Sequence, residues 1–508
     1  MPTRVLDLSE ERPVLIETDC RHGSYVLLSH CWGRKPTLKA TKASLVDLYQ
    51  GIRMEDLPKT FYDAVVITRG LGVRYLWIDS LCIVQDLPED WTSEAARMRD
   101  YYKGGYLTIS ALFSSDSHCG ILNPRQLSQA LLVHEQNLYL RAPLPEQPYI
   151  LRTAPLSSRA WVMQERLLST RILHYGDKEV FWECLTCSAR ESSTKESTGK
   201  ADPHSTTTSE SIDFKRILTN LDLDVYSLRA GAFATWCRLV TRYSRCALTY
   251  ESDKLPAISG IASLIEKETD GTYIAGIWKE DIRSLLWMVD EDRPLAAKPR
   301  SNTTMPTPYL SPSWSWISAS SCVTYNYDKH IPSVIDAEII SHHLTNPGGG
   351  LAGRLVLRAS ARDILLQRNG RRYNFGFGCD QCDHIKGPDF AETFLYGKLQ
   401  EWSRWRESEW GPGEANIIGK GFMDSKAEID ALESSIVECK ALWIMRLKSI
   451  ASLTDKSVIG VDHRAPLYCL LVVPVDTEGD LKTWRRIGVG IIRGSEVLSS
   501  PHQDFVLI

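Results

Sequence analysis

Residues Tyr75–Asp90, YLWIDSLCIVQDLPED, constrain this chain more than any other stretch. An apolar run (Tyr75, Leu76, Trp77, Ile78) meets Asp79-Ser80, resumes through Leu81-Cys82-Ile83-Val84, and breaks at Gln85, Asp86 and Pro88. A continuous apolar run closed by polar breakers fits a strand buried on both faces, as in a parallel sheet. The pattern predicts a strand over residues 75–84. Ligands of open α/β sheets gather at the carboxyl ends of such strands, so the polar groups here read as a site more than as core.

The surrounding chain alternates strand and helix patterns. Tyr25–Leu28 (YVLL) is a short apolar run opening into Ser29-His30-Cys31-Trp32-Gly33. Pro58 starts a helical pattern with Phe61, Ala64, Val65, Thr68 and Leu71 on one side; Pro suits a first turn and Gly72 a left-handed stop. Glu89–Tyr102 is a second helix, with Trp91, Ala95, Met98 and Tyr102 on one face and acids in its first turn. Leu107–Leu112 and Val180–Cys184 read as further strands. The alternation predicts an α/β domain with a parallel sheet over residues 1–191. Residues 192–211, rich in Ser and Thr, read as a flexible linker or surface loop. Residues 212–300 read as mainly helical. Residues 301–508 read as rich in strands (Leu355–Ala359, Tyr468–Val475, Ile487–Ile492), with an insertion near 379–435.

Composition excludes several function classes. A formal charge of -4 over 508 residues gives no electrostatic case for nucleic acid or anionic membranes. No apolar run is long enough to span a bilayer. The first residues carry acids where a secretory signal needs a basic tip, and the thirteen cysteines form an odd, scattered set. The expectation is a cytoplasmic protein with reduced thiols.

Three blocks resemble the fungal heterokaryon-incompatibility (HET) domain proteins: YVLLSHCWG (Tyr25–Gly33); Leu57–Asp86 continuing through DWTSEAARMRDYY (Asp90–Tyr102); and SSRAWVMQERLLSTRILHYGDKEVFWEC (Ser157–Cys184). DKLPAISGIA (Asp253–Ala262), YIAGIW (Tyr273–Trp278) and PSWSWIS (Pro312–Ser318) look like the downstream region of long members. The resemblance implies a role in cell death when genetically different hyphae fuse. It also implies a remote kinship with TIR domains, some of which cleave NAD at the nicotinamide–ribose bond. A TIR-like, flavodoxin-like parallel sheet is then expected. LLSHCWG resembles the first strand and phosphate-side loop of a TIR domain, and Trp91-x-x-Glu94 the helix bearing its catalytic glutamate. TIR domains have a further strand–helix unit, whereas one clear helix lies here between the first two strands.

Cleaving an N-glycosidic bond to a cationic nicotinamide passes through an oxocarbenium-like state that a carboxylate near the ribose stabilises. Glu94 is the main catalytic candidate, with Trp91 placed to stack on a base; the alternative is an acid at a helix start beside a core tryptophan. Asp79 either binds substrate or ties down a loop, since a buried charge needs partners. Ser29, Trp32 and Gly33 offer backbone amides to a phosphate, or form a turn packed on the sheet; His30 is a candidate acid or base. Gln85 is expected on the ligand side. We expect Glu94, Asp79 and the Ser29–Gly33 loop to line one cleft. Arg159, Trp161, Gln164, Glu165 and Arg166, with Glu183, read first as an internal salt-bridge network; the alternative is that Gln164-Glu165-Arg166 completes the pocket from another helix.

Other signals are weaker. Cys184-x-x-Cys187 and Cys379-x-x-Cys382, with His384, have zinc-knuckle spacing but lie far apart. Gly488–Gly494 misses the dinucleotide fingerprint by one residue and Gly413–Lys420 is one too long for a P-loop. Trp402, Trp405 and Trp410 stand among offsetting acids. The leading expectation is an NAD glycohydrolase-type effector holding no tight cofactor, with a nucleotide or other small molecule as substrate and a homo-oligomer or signalling protein as partner. The alternatives are a non-enzymatic signalling module and a HET-like enzyme of fungal secondary metabolism performing hydrolysis or cyclisation.

Overall fold

The computed structural model describes residues 1–19, 21–125, 131–134, 138–140, 144–145, 147–198, 225–290, 311–319, 321–325, 333–346, 351–369, 372–376, 417–424, 437–447, 467–475, 482–492 and 501–508. The chain divides into two compact units, Met1–Ala232 with Cys246–Asp270, and Phe233–Arg245 with Gly271–Ile508.

The first unit runs, in chain order, β1 (Arg4–Asp7), β2 (Val14–Glu17), β3 (Tyr25–Ser29), α1 (Leu45–Gln50), α2 (Lys59–Gly70), β4 (Tyr75–Ile78), α3 (Asp79–Cys82), α4 (Pro88–Gly104), β5 (Leu107–Ser110), β6 (Leu131–His134), β7 (Leu138–Leu140), α5 (Gln147–Thr153), α6 (Ala160–Leu168), β8 (Arg171–Tyr175), β9 (Val180–Cys184), β10 (Cys187–Arg190) and β11 (Ser193–Thr198). After α7 (Val225–Tyr243), α8 (Pro256–Thr269) returns to this unit. One nine-stranded sheet carries the order β11-β10-β9-β8-β5-β3-β4-β1-β2. Its centre, β4-β3-β5-β8, is parallel, while both flanks pair antiparallel. The sheet is therefore mixed, where an all-parallel one was expected. The flanks β1-β2 and β9-β10 are hairpins, whose short connections allow only antiparallel pairing.

The parallel strands lie in the order second, first, third, fourth, so the chain reverses its direction of travel between β3 and β5. Right-handed crossovers then put α2 on one face and α4 with α6 on the other. The contacts agree: the His30 ring meets Phe61 of α2 edge-on at 4.9 Å, while Trp77 of β4 meets Tyr101 and Tyr102 of α4, each at 5.8 Å. The strand expected over residues 75–84 ends at Ile78, and Asp79–Cys82 forms a single helical turn. Asp79 accepts the N–H of Ser80 at 2.7 Å, drawing the chain out of extended geometry. Beyond the turn, the Asp90 carboxylate accepts the Val84 N–H at 2.8 Å and, through both oxygens, the Arg4 Nη2; the Arg4 Nε donates to the Cys82 carbonyl at 2.9 Å. Strand β1, which carries Arg4, was not foreseen, yet it closes this edge.

The stretch read as a linker begins with β11, paired to β10; residues 199–211 lie outside the described residues. So do Cys379, Cys382, His384, Trp402, Trp405 and Trp410.

The second unit holds β12 (Tyr273–Ile274), β13 (Ile277–Trp278), β14 (Trp287–Val289), β15 (Val323–Tyr325), β16 (Ser333–Ile335), β17 (Ala337–Thr345), β18 (Ala352–Asn369), β19 (Arg372–Gly376), β20 (Ile417–Met423), β21 (Val437–Leu447), β22 (Leu467–Val475), β23 (Thr483–Ile492) and β24 (His502–Leu507). Strands β18-β19-β20-β23-β22-β21 form a ring, because β21 pairs back onto β18. Closure removes the exposed edges that such long strands would otherwise present. Leu355, Leu357, Leu442, Ile444, Leu470 and Val489 belong to its core. Arg486 of β23 is wholly buried, stacks on the Trp287 ring and forms a bidentate pair with Asp424 at 2.8 and 3.1 Å. Gly488–Gly490 lie inside β23, in ladder register with β20 and β22, and form no phosphate loop.

Candidate active site at the carboxyl ends of the central strands

Polar residues gather at the carboxyl ends of the central strands. Ser29 of β3 pairs in register with Ser110 of β5, and Ser110 with His174 of β8. Asp79 follows Ile78, which pairs with Leu28, so it stands level with Ser29. Parallel neighbours share a face, and α6 covers this one. The Ser29 hydroxyl donates to the Glu165 carboxylate of α6 at 2.5 Å. The Tyr102 hydroxyl bonds the same carboxylate. Burial is the main influence on Glu165 and lifts its carboxyl, with the Asp79 charge adding; Arg159 and the Ser29 and Tyr102 hydroxyls pull against them, leaving a value of about 7. A carboxyl in that range can both give and take a proton near neutrality.

A second buried acid stands beyond it. The Ser110 hydroxyl lies 3.0 Å from His174 Nδ1, and His174 Nε2 is 3.5 Å from Glu183 Oε2. Arg166 of α6 grips Glu183 with two N–H groups at 2.7 and 3.0 Å. Helix α6 thus sends Glu165 to one strand end and Arg166 to the acid beside another.

His30, one residue past β3, turns to the α2 face. It is fully buried, and neither ring nitrogen has a hydrogen-bond partner among the described residues; Nδ1 stands 3.7 Å from Asp79 Oδ1. Burial pushes its pKa down to about 4, Arg159 helping and Asp79 opposing. A value of about 4 leaves the ring mostly neutral near pH 7, where it is placed to accept a proton more than to give one. Arg159 donates to the His30 carbonyl. Asp79 also accepts the Trp32 indole N–H at 2.9 Å and keeps a fifth of its side chain open to solvent. Gln85 is turned inward, its amide donating to the carbonyls of Ile83 (2.9 Å) and Asp79 (3.3 Å). Gly33 adopts φ +78°, and a Cβ there would lie 2.1 Å from the Asp116 Cβ. The close approach this glycine permits is to the loop carrying Asp116. Ser117 of that loop donates to the Trp32 carbonyl, and Asp63 of α2 accepts the N–H groups of Ile121 and Leu122 at 2.7 and 3.0 Å.

Glu94 stands in a different network. It is 2% exposed, accepts the Thr3 hydroxyl at 2.6 Å and the Tyr101 hydroxyl at 2.9 Å, and has Arg97 at 3.9 Å. Its hydrogen-bond partners belong to the chain leading into β1 and to its own helix; none is Asp79, His30 or Ser29. The physical reason is the segment entering β1: β1 covers the edge of β4 and Thr3 just before it, with Tyr101, satisfies this carboxylate. Trp91 is half-buried and packs edge-on against Trp161 at 6.2 Å. Trp161 donates to Asp253 (3.2 Å), and Gln164 accepts the Gly260 N–H of α8 (2.8 Å).

The structure thus unites Ser29, Trp32, Asp79 and the His30 backbone with Glu165, Arg159 and Tyr102, and leaves Glu94 and Trp91 elsewhere. Glu165, read first as part of an ion-pair network, is the residue that the weaker reading of Gln164-Glu165-Arg166 had placed at the pocket. Among the described residues no group of three or more His, Cys, Asp or Glu side chains could hold a metal ion. No described helix is long and apolar enough to cross a membrane.

Residues 25–165 match the family model described as Heterokaryon incompatibility protein (HET). The match takes in the first two sequence blocks and the start of the third, and the chain carries a HET domain there. No curated protein and no solved structure gave a significant match.

Proposed function

We propose that this HET domain of heterokaryon-incompatibility type acts as a cell-death effector by hydrolysing the nicotinamide–ribose bond of NAD at the ends of β3 and β4. The observation that carries the reading is the pair of carboxyls, Asp79 part-open at the surface and Glu165 buried with a value of about 7, beside the reversal point between β3 and β5. That point is where doubly wound sheets of flavodoxin-like strand order take their ligands. The order of the parallel strands supports this reading, and with it the TIR kinship.

The chemistry follows from the groups present. Nicotinamide leaves as a neutral base, and the ribosyl cation that forms is stabilised by the Asp79 carboxylate, which Trp32 and Ser80 hold in place. Water adds to the sugar carbon and loses a proton, which the ionised fraction of Glu165 receives through Ser29. The half-buried Trp32 ring offers a flat surface to the departing base. Glu94, closed off by Thr3 and Tyr101, takes no part.

The test is nicotinamide release from NAD by purified protein at high concentration. Asp79→Asn and Glu165→Gln should each lose at least about a hundredfold, as general acid–base groups do, while Glu94→Gln keeps its rate. Wild-type release no greater than that of the Asp79→Asn/Glu165→Gln double variant removes the hydrolase reading. One observation favours a non-enzymatic module instead: Glu94 and Glu165 are both buried and hydrogen-bonded inside the fold. In that case the same variants still kill cells when expressed in a fungal host.

A further inference from the structure

Cys184 ends β9 and Cys187 begins β10, with Leu185-Thr186 as the two-residue turn between them. The hairpin register pairs Glu183 with Ser188 and Trp182 with Ala189, which sets Cys184 directly opposite Cys187. Residues opposite each other in an antiparallel pair have Cα atoms about 4.5–5.5 Å apart, inside the span a disulfide bridges. The two sulfurs stand 3.5 Å apart, and both residues are partly exposed. Forming a bond of about 2.05 Å asks for a rotation of the side chains and no movement of the strands.

We infer that Cys184 and Cys187 form a dithiol–disulfide redox site, oxidised by a hydroperoxide and restored by a thiol reductant. Cys184 is the attacking sulfur. It accepts the Cys187 N–H at 3.4 Å and lies 3.4 Å from the Thr186 hydroxyl. Partial burial raises its pKa, but these hydrogen bonds outweigh it and bring the thiol down to about 7. The contrast with three buried cysteines is clear: burial pushes Cys31 up to about 11, and Cys82 and Cys439 up to about 12. A thiol near neutrality is both substantially ionised and still nucleophilic.

The reaction balances in two steps. The Cys184 thiolate attacks the outer peroxide oxygen, the O–O bond breaks, and the alcohol or water leaves after taking up a proton, giving a sulfenic acid. The Cys187 sulfur then attacks the Cys184 sulfur; the S–O bond breaks, and hydroxide departs as water with the Cys187 proton. Two thiols and one hydroperoxide become one disulfide, one alcohol and one water. The inference is independent of any NAD chemistry. The bridge would staple the hairpin next to Glu183, the acid that holds Arg166 and stands beside His174.

Trypsin cuts after Lys178 and Arg190, so both sulfurs fall in one peptide, residues 179–190. The full-length reduced protein is treated with hydrogen peroxide at neutral pH, alkylated and digested. The expected peptide is lighter by two hydrogens, takes up no alkylating agent, and regains both thiols with a dithiol reductant. In Cys187→Ser, a 1,3-diketone should trap a sulfenic acid at Cys184. In Cys184→Ser, oxidation of Cys187 should slow by about tenfold or more. Two alkylatable thiols persisting under peroxide that oxidises the exposed Cys119 would overturn the inference. Equal oxidation rates in the two single variants would do the same.

Discussion

Replacing Glu165 by Gln removes a titrating group that works against the folded state as pH rises. In the unfolded chain this carboxyl titrates at its ordinary 4.5, and in the folded state at about 7. The folded protein therefore holds the proton more tightly. The stability Glu165 contributes is fully present below pH 4.5 and is lost as pH rises to 7. At about 1.4 kcal/mol per pH unit across that interval, the loss is about 3 kcal/mol. His30 has the opposite sign. Its value falls from 6.5 to about 4 on folding, so its contribution is complete above pH 6.5 and is lost as pH falls through 4, also by about 3 kcal/mol. Between pH 4.5 and 6.5 the two slopes oppose each other, and the wild type should be nearly flat in what this pair contributes. Glu165→Gln should expose the His30 slope and gain about 3 kcal/mol on the wild type between pH 4.5 and 7. His30→Leu should expose the Glu165 slope, losing stability relative to the wild type as pH rises from 4 to 6.5. The measurement is amide exchange in β3, variant against wild type at each pH, so that intrinsic exchange rates cancel. A Glu165→Gln difference that stays constant from pH 4.5 to 7 would show that the buried carboxyl does not hold a proton, and the argument from Glu165 would fail.

Two more perturbations bear on the same unit. Arg4→Met strands the Asp90 carboxylate, with its side chain 15% exposed, and should cost about 3 kcal/mol; Arg4→Met/Asp90→Leu should recover part of that in urea unfolding. Gly33→Ala places a Cβ against Asp116 in a left-handed conformation and should cost about 2 kcal/mol or more. Adding Asp116→Gly should return the steric share and leave the conformational one, as read by thermal unfolding.

The sheet's centre was legible because its strands are short apolar-rich runs: YVLL and YLWI are apolar throughout, while LTIS alternates Leu and Ile with Thr and Ser. The polar residues that follow the first two runs, Ser29 and Asp79, were equally visible and mark where the site lies; β8, which carries His174, was not read as a strand. What local pattern did not carry was pairing over long sequence separations. β1 is four residues, RVLD, with nothing to say that it lines β4 or that Thr3 would satisfy Glu94 across ninety positions. Glu165 and Ser29 lie 136 positions apart, and only the crossover of α6 onto the α4 face brings them together. Asp79 was misread as interrupting a strand because a four-residue helical turn and four more apolar strand residues look alike.

The flanking strands bear on which fragment of this chain can stand alone. A piece cut to residues 25–165 would leave one side of β4 without Leu6 and Asp7, and one side of β5 without Ile172, Leu173 and His174. Two raw borders of backbone donors and acceptors would face water, each ready to recruit a strand from another molecule. Arg4 would go with them, orphaning Asp90, and the cut at residue 165 would fall inside α6. The limits of likeness to a family and the limits of a foldable body differ here, so a soluble fragment must be drawn by its ladders.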